Sequence, residues 1–277
     1  MYTVHRFVLM TLDPLHIGTG GYRLGRVDLS IVREPGTNLP KVPGTSLSGA
    51  IRQYAAMRYE KRGCAGQKGC GQPTCPICYT FGSAKDSGGG YAGAVSIFDA
   101  RLLLFPVHSL AGPVWVTSPS ALADDFGITG QSVADDKARW PDAVTTQSRL
   151  NLGWLMLERE DGDWNLPALD GVPDDVKKRA VLVSDKLFSQ VVNSNLEVRT
   201  SVSIDPATGA AKEGALFTYE ALPRATWLWC DVVEDDYRTG DKPWPVSQTV
   251  TGKDLGEPWK RPLDIVRAGL SLAEYLG

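Results

Sequence analysis

A strand, a helix, further strands and a late helix follow one another in this sequence. That order predicts an α+β fold of modified ferredoxin-like (RRM-like) type with insertions. Three observations carry the prediction. Val4 to Leu12 is a mostly apolar run stopped by Asp13-Pro14, which reads as a first strand. Leu47, Ala50, Ile51, Tyr54 and Ala55 recur at the spacing of one helical face, directly after Pro43-Gly44-Thr45-Ser46. Ala94 to Leu104, Val114 to Thr117 and Leu222 to Val233 then read as strands, ahead of an amphipathic helix over Arg261 to Leu276.

A chain of 277 residues can bury a substantial core, and we expect one domain over 1–277 with insertions. No apolar run is long enough to cross a bilayer, so no membrane partner is expected. The opening MYTVHRFVLMTLD lacks the small-residue cleavage site of a signal peptide, and a cytoplasmic location is the expectation. Net charge is −3, which taken whole argues weakly against a nucleic-acid partner. Its distribution says more. Residues 1–70 hold ten Lys/Arg against four Asp/Glu, a net of +6, which leaves −9 for the rest and a dense acidic run from Asp231 to Asp236. A basic N-terminal face on an acidic body suits RNA on one side and protein elsewhere, and equally suits ordinary solvated charge.

The stretch from Leu15 to Arg52 concentrates the chemistry. It opens on a Gly-rich segment (Gly18, Gly20, Gly21, Gly25), where a backbone can approach a ligand closely. A single acid, Asp28, heads the apolar run Leu29 to Val32. A Pro/Gly turn then leads to the helix, with Thr45 or Ser46 as the expected N-cap. Free amides at a helix start attract phosphate, and Lys41 and Arg52 lie on either side of that start. Lys41, Ser46, Ser48 and Arg52 are therefore candidates to hold a ribose-phosphate backbone; Arg52 largely avoids the apolar stripe. An amphipathic surface helix accounts for the same residues without a ligand. Asp28 should be ionised at neutral pH, since a free Asp titrates near about 3.9. Beside phosphates a carboxylate holds a divalent cation such as Mg²⁺, which neutralises the phosphate or helps activate a ribose 2′-OH. Alternatively, Asp28 caps a turn. His16 reads as a satisfied structural group.

Gly63 ends the helix, and Cys64, Cys70, Cys75 and Cys78 follow with spacing C-x5-C-x4-C-x2-C. Four thiolates so close in a Gly-rich loop (63–79) suit a structural tetrahedral Zn²⁺, closed to catalysis. Disulfides are the rival, disfavoured in a cytoplasmic chain, and a redox pair Cys75/Cys78 would leave the other two unexplained. Cys230 reads as a buried core thiol. Residues 119–192 mix helix-like and strand-like pieces and read as an inserted region packed on the main domain. Residues 199–222 have a hairpin pattern: Val202 and Ile204 lead into Asp205-Pro206-Ala207-Thr208-Gly209, and Ala215, Phe217 and Tyr219 alternate on the return. For nucleic acid, Arg199 and Lys212 would supply charge and Phe217 stacking; an ordinary surface hairpin fits as well.

The segments VDLSIVRE and NLPKVPGTSLSGAIR resemble the repeat-associated (RAMP) superfamily of CRISPR effector subunits. TFGS, SIFDARLLLFPVHSLAGPVWVTSP and VRTSVSIDPATGAAKEGALFTYEALPR narrow the resemblance to the repeated backbone subunit of the type III-B (Cmr) complex, over most of residues 1–230. The resemblance implies an endoribonuclease acting within a complex. Copies would stack head-to-tail in a helical filament along a guide CRISPR RNA, beside other effector subunits. It matches Asp28 to the aspartate needed to cleave target RNA, and hairpin 199–222 to a projecting thumb that interrupts the guide–target duplex. Base pairing would choose the target while the protein reads backbone and shape. Two other readings use the same residues: a backbone that binds without cleaving, and a zinc-stabilised scaffold whose basic face docks an acidic protein. Relatives usually continue past the late helix into a Gly-rich loop and a last strand. Ending at Gly277 is expected to leave that loop's RNA contact unfilled and a sheet edge for a neighbouring subunit to cover.

Overall fold

The computed structural model describes residues 2–20, 27–66, 69–72, 74–84, 90–162, 164–212, 215–237, 255 and 258–276, without the side chains of 124 and 125. Gly21 and Gly25 of the first Gly-rich segment, and Gly88 and Gly89 of the Gly-rich turn that precedes Ala94, lie outside the described residues. The chain forms two compact units, each discontinuous in sequence: Met1–Phe7, Val42–Ala100 and Cys230–Gly277 in one, Val8–Lys41 and Arg101–Trp229 in the other. Mixed α+β structure with a large sheet is what the sequence predicts.

The second unit carries most of the sheet. The strands are β1 (Thr3–Met10), β2 (Val95–Ile97), β3 (Arg101–Val107), β4 (Val114–Thr117), β5 (Lys137–Arg139), β6 (Arg149–Leu152), β7 (Leu155–Arg159), β8 (Ala180–Val183), β9 (Glu197–Ser201), β10 (Phe217–Ala221) and β11 (Trp227–Glu234). β1 and β11 each hold residues of both units. In this unit β3 pairs antiparallel with the start of β11 and with β4, β4 runs parallel to β8, and the order continues through β5, β7 and β6. Residues 102–105 of β3 and all of β8 are buried on both faces, as expected of inner strands with continuous apolar runs. Leu103, Leu104, Leu122, Trp164, Leu182, Trp227 and Trp229 fill the core beneath them.

The helices are α1 (Gly44–Arg58), α2 (Pro76–Phe81), α3 (Pro119–Phe126), α4 (Asp174–Lys177), α5 (Asp185–Ser194) and α6 (Pro262–Leu276), and two in this unit are defined by their ends. The first, Pro119–Phe126, is capped by Ser118, whose hydroxyl accepts the Ala121 amide, and ends at Gly127 with φ +67°. Another, Asp185–Ser194, is capped by Ser184 and buries Leu187, Phe188, Val191 and Val192. Because β8 is an inner strand, part of the region 119–192 is integral to the sheet rather than packed upon it.

In the first unit, α1 (Gly44–Arg58) packs against the last helix, α6 (Pro262–Leu276). Ile51 of α1 meets Leu263 and Val266 of α6 over Val232 of β11, joined by half-buried Leu47 and Phe81. A Cβ on Gly269 would collide with the Ile51 carbonyl, so glycine sets how closely the two helices cross. The end of β11 pairs with β2. The expected strand 94–104 is two strands, because Asp99 turns its carboxylate to the Gly44 amide (2.8 Å) and Ala100 bridges Val42. The expected face of α1 is also shifted. Ile51, Arg52, Ala55 and Ala56 are buried while Ala50 is exposed, because α1 also covers the cysteine loop.

Candidate functional site

Asp28 sits in the second unit at the foot of the hairpin β9/β10. Its Oδ2 accepts the Thr218 amide (2.7 Å) and hydroxyl (2.9 Å), while its own amide donates to Thr218 Oγ1 (3.2 Å). The Leu29 amide donates to the Thr218 carbonyl and the Glu220 amide to the Leu29 carbonyl, so the two segments run side by side. The Thr218 amide, then its hydroxyl, holds the exposed Asp28 carboxyl below its ordinary range. Oδ1 accepts no hydrogen bond among the described residues. The residue is thus a fixed carboxylate with one oxygen turned to solvent, poorly suited to take a proton and well suited to a cation or a hydroxyl.

The strand beside it is braced from behind. Glu220 Oε2 accepts the Ile31 amide (3.2 Å) and Arg33 Nη2 (2.9 Å), and Arg33 Nε donates to Asn193 (2.7 Å). His16 Nδ1 donates to the Glu220 carbonyl (2.5 Å), and its ring meets Tyr219 edge-on at 5.1 Å. Thr218, Glu220, Arg33 and Asn193 carry no local signal as a group; their partners lie 160 to 190 residues away in sequence. A nearby cleft lined by Glu34, Arg101, Asp185 and Lys186 mixes both signs of charge and offers no uniform surface to a polyanion.

The hairpin is present as β9 and β10, with Phe217 opposite Ser201 and Tyr219 opposite Arg199. Beyond them Ile204 bridges Ala211, Asp205 Oδ1 accepts the Ala207 amide, and Gly209 takes φ +66°, closing the turn. Phe217 and Tyr219 lie 6.2 Å apart, and Arg199 pairs loosely with Glu197 at 3.5 Å. Lys212 is exposed near the tip. Asp28 is brought beside Phe217 and Tyr219 but not Lys212; Ser46, Ser48 and Arg52 belong to the other unit and Lys41 to this one.

The helix start differs from expectation. Pro43 is the N-cap of α1 and offers no capping side chain of its own, so neither Thr45 nor Ser46 serves. The Gly44 amide is taken by Asp99, and the Ser46 and Leu47 amides by the Pro43 carbonyl. The expected cluster of free donors is therefore mostly satisfied internally. Ser46 is exposed, Lys41 and Ser48 are half-buried, and Arg52 is buried.

Cys64, Cys70, Cys75 and Cys78 bring four sulfurs within 4.8 Å of one another. Cys64 and Cys75 Sγ are 3.7 Å apart, Cys70 and Cys78 Sγ 3.8 Å. A tetrahedral ion with metal–sulfur bonds of about 2.3 Å sets sulfurs about 3.8 Å apart, so the set fits a metal and is compatible with zinc. No other such group of His, Cys, Asp or Glu occurs among the described residues. The hydrogen bond between Cys75 and Cys78, with burial, pushes the Cys75 thiol up, and the same bond, against burial, holds Cys78 down. Ala55, Ala56, Tyr59, Ile77 and Trp259 enclose the quartet.

A model of the RAMP superfamily matches residues 8–259. The chain belongs to that superfamily. The RAMP chain is 27% identical over 270 residues to the CRISPR system Cmr endoribonuclease Cmr4 of Pyrococcus furiosus, covering 90% of this chain and 87% of that protein. Among solved structures it superposes on a chain of the type III-B Cmr-beta complex bound to cognate target RNA, with TM-score 0.62, 17% identity and 85% of each chain. It also superposes on oligomeric Cmr4 from Pyrococcus furiosus, with TM-score 0.55, 21% identity, 90% of this chain and 87% of that one. At such identities the superpositions speak for the fold. Among the described residues of this RAMP protein, no helix is long and apolar enough to cross a membrane.

Proposed function

We propose that this RAMP protein is a backbone subunit of a type III-B CRISPR effector and cleaves target RNA with Asp28. The observation that carries the reading is the Asp28 carboxylate, fixed by Thr218 at the foot of the hairpin with Oδ1 to solvent. Likeness to a Cmr endoribonuclease along 90% of the chain supports the reaction class. In this reading the ferredoxin-like core carries a guide RNA past Lys41, Ser46 and Ser48. Hairpin 199–222 acts as the thumb, with Arg199, Lys212 and Phe217 against the duplex, and displaces a target nucleotide toward Asp28.

Cleavage would be in-line attack of the ribose 2′-oxygen on the adjacent phosphorus, which forms a 2′,3′-cyclic phosphate as the P–O5′ bond breaks; the 2′-OH gives its proton to water and the departing 5′-oxygen takes one from water. Asp28 orients the attacking hydroxyl through Oδ1, and Thr218 keeps the carboxylate ionised and in place. A divalent cation held by the same oxygen would supply charge neutralisation at the phosphate. The cysteine quartet would hold a structural Zn²⁺ that organises its loop. In this reading copies of the chain would stack along one guide; Cmr4 of Pyrococcus furiosus, which shares the fold, is itself oligomeric.

The test is cleavage of complementary RNA by the assembled complex, with and without Mg²⁺. Cuts at regular intervals that require guide and cation are expected. A complex that carries guide RNA of fixed length and binds target without cutting it would make the chain a backbone only. Absence of any co-purifying RNA would leave a protein scaffold.

A further inference from the structure

Arg52 has an environment that RNA binding does not explain. It lies in the middle of α1 with 8% of its surface exposed. Nε donates to the Cys64 carbonyl at 2.8 Å, while Nη2 is buried and has no hydrogen-bond partner among the described residues. A buried guanidinium left without a counter-charge is costly. The position of that nitrogen shows what it faces. A Cβ built on Gly69, a glycine with φ +52°, would lie 2.6 Å from Cys78 Sγ and 3.0 Å from Arg52 Nη2. Nη2 and the sulfur therefore border the same point, the inner wall of the cysteine site. Lys61 lies near the same thiols.

We propose that Arg52 is the buried counter-ion of the metal–cysteine site, a positioning residue for the metal and not a contact to RNA. This rests on the zinc reading above. A dication held by four thiolates leaves a double negative charge, and the site is lined by two cations, Arg52 and Lys61. Arg52 also fixes Cys64 through its carbonyl, so charge and ligand geometry are set by one side chain. The same arrangement explains the bare glycine. Any side chain at Gly69 would push between guanidinium and sulfur.

Zinc content, chelator competition and thermal melting, with and without metal, separate the possibilities in full-length wild type, Arg52→Met and Arg52→Lys. Wild type is expected to bind one zinc. Arg52→Met is expected to release zinc to a chelator at about 10–100-fold lower competitor concentration. Stripped of metal, with the thiols protonated, Arg52→Met should melt close to stripped wild type, because the lost bond from Nε to Cys64 is offset by removal of an uncompensated buried charge. Arg52→Lys keeps the charge and should hold zinc within about tenfold of wild type even if the methionine variant does not fold. Unchanged zinc affinity in Arg52→Met would overturn the proposal, as would equal destabilisation with and without metal, which marks a merely structural arginine. Zinc loss in Arg52→Lys as complete as in Cys75→Ser would likewise overturn it. A wild type that takes up no zinc would overturn the zinc reading itself, and this inference with it.

Discussion

Thr218 governs what Asp28 can do. Its amide and hydroxyl both point at one carboxylate oxygen, which lowers the carboxyl's affinity for protons and stops the side chain from rotating. Two consequences follow for the reaction. Thr218→Val removes one of the two donors, and cleavage should slow by about 10²-fold while target binding is retained, since misplacement of a reacting group by an ångström costs that much. Gel-based cleavage rates at saturating target would read this. Since Asp28 is depressed relative to an ordinary carboxyl, a rate that depends on its ionised form survives acidification and is lost only below the usual carboxylate range. At this scale the sequence is a poor guide. Asp28 stands out by its motif, but 190 residues separate it from Thr218, and no local spacing announces their contact. Arg52 reads as polar and surface-bound until the packing of α1 against the cysteine loop is known.

Elements were more legible than residues, and the exceptions have physical causes. The strand, helix, strands and final helix are all present, since each carries its own periodicity or turn chemistry. The cysteine quartet was legible too, because its partners lie within fifteen residues of one another. What periodicity could not reveal was the break at Phe98–Ala100, imposed by Asp99 reaching for α1, or that β8 is an inner strand. The crossing of α1 and α6 offers a test of packing. Gly269→Ala should lower stability by about 1–3 kcal/mol, as overpacking against a backbone carbonyl does, measured by thermal unfolding. The start of α6 depends on a charge. Glu234 accepts Arg261 and the Leu263 amide and lies near His5. Burial works against its ionisation, but the bonds from Arg261 and Leu263 outweigh it and keep its carboxyl below the ordinary range. A carboxyl depressed by folding stabilises the folded form above its unfolded pKa, and the benefit disappears as pH falls through the folded value. Glu234→Gln should therefore cost about 1–3 kcal/mol at neutral pH and almost nothing in strong acid, read from denaturant titrations at the two pH values.

Across the whole molecule, the basic N-terminal quarter is less basic than its count. Arg6 pairs with Asp231, Arg33 with Glu220, and Arg52 is buried beside the thiols. Formal charge counts these cations as a face for RNA, whereas folding spends them on protein. Guide binding by the assembled complex should accordingly show a shallow salt dependence per subunit. Lys41→Ala should lessen the slope of log affinity against log salt by about 0.7, the share of one contact to a single strand. The central claim is that Asp28 serves the chemistry and not the fold. The most direct measurement is single-turnover cleavage of target RNA by complexes assembled with wild type or Asp28→Asn, with target binding measured on the same samples. Binding equal in the two and cleavage lost in the variant is the result expected here. Cleavage at the wild-type rate by Asp28→Asn would contradict it and return Asp28 to a turn residue.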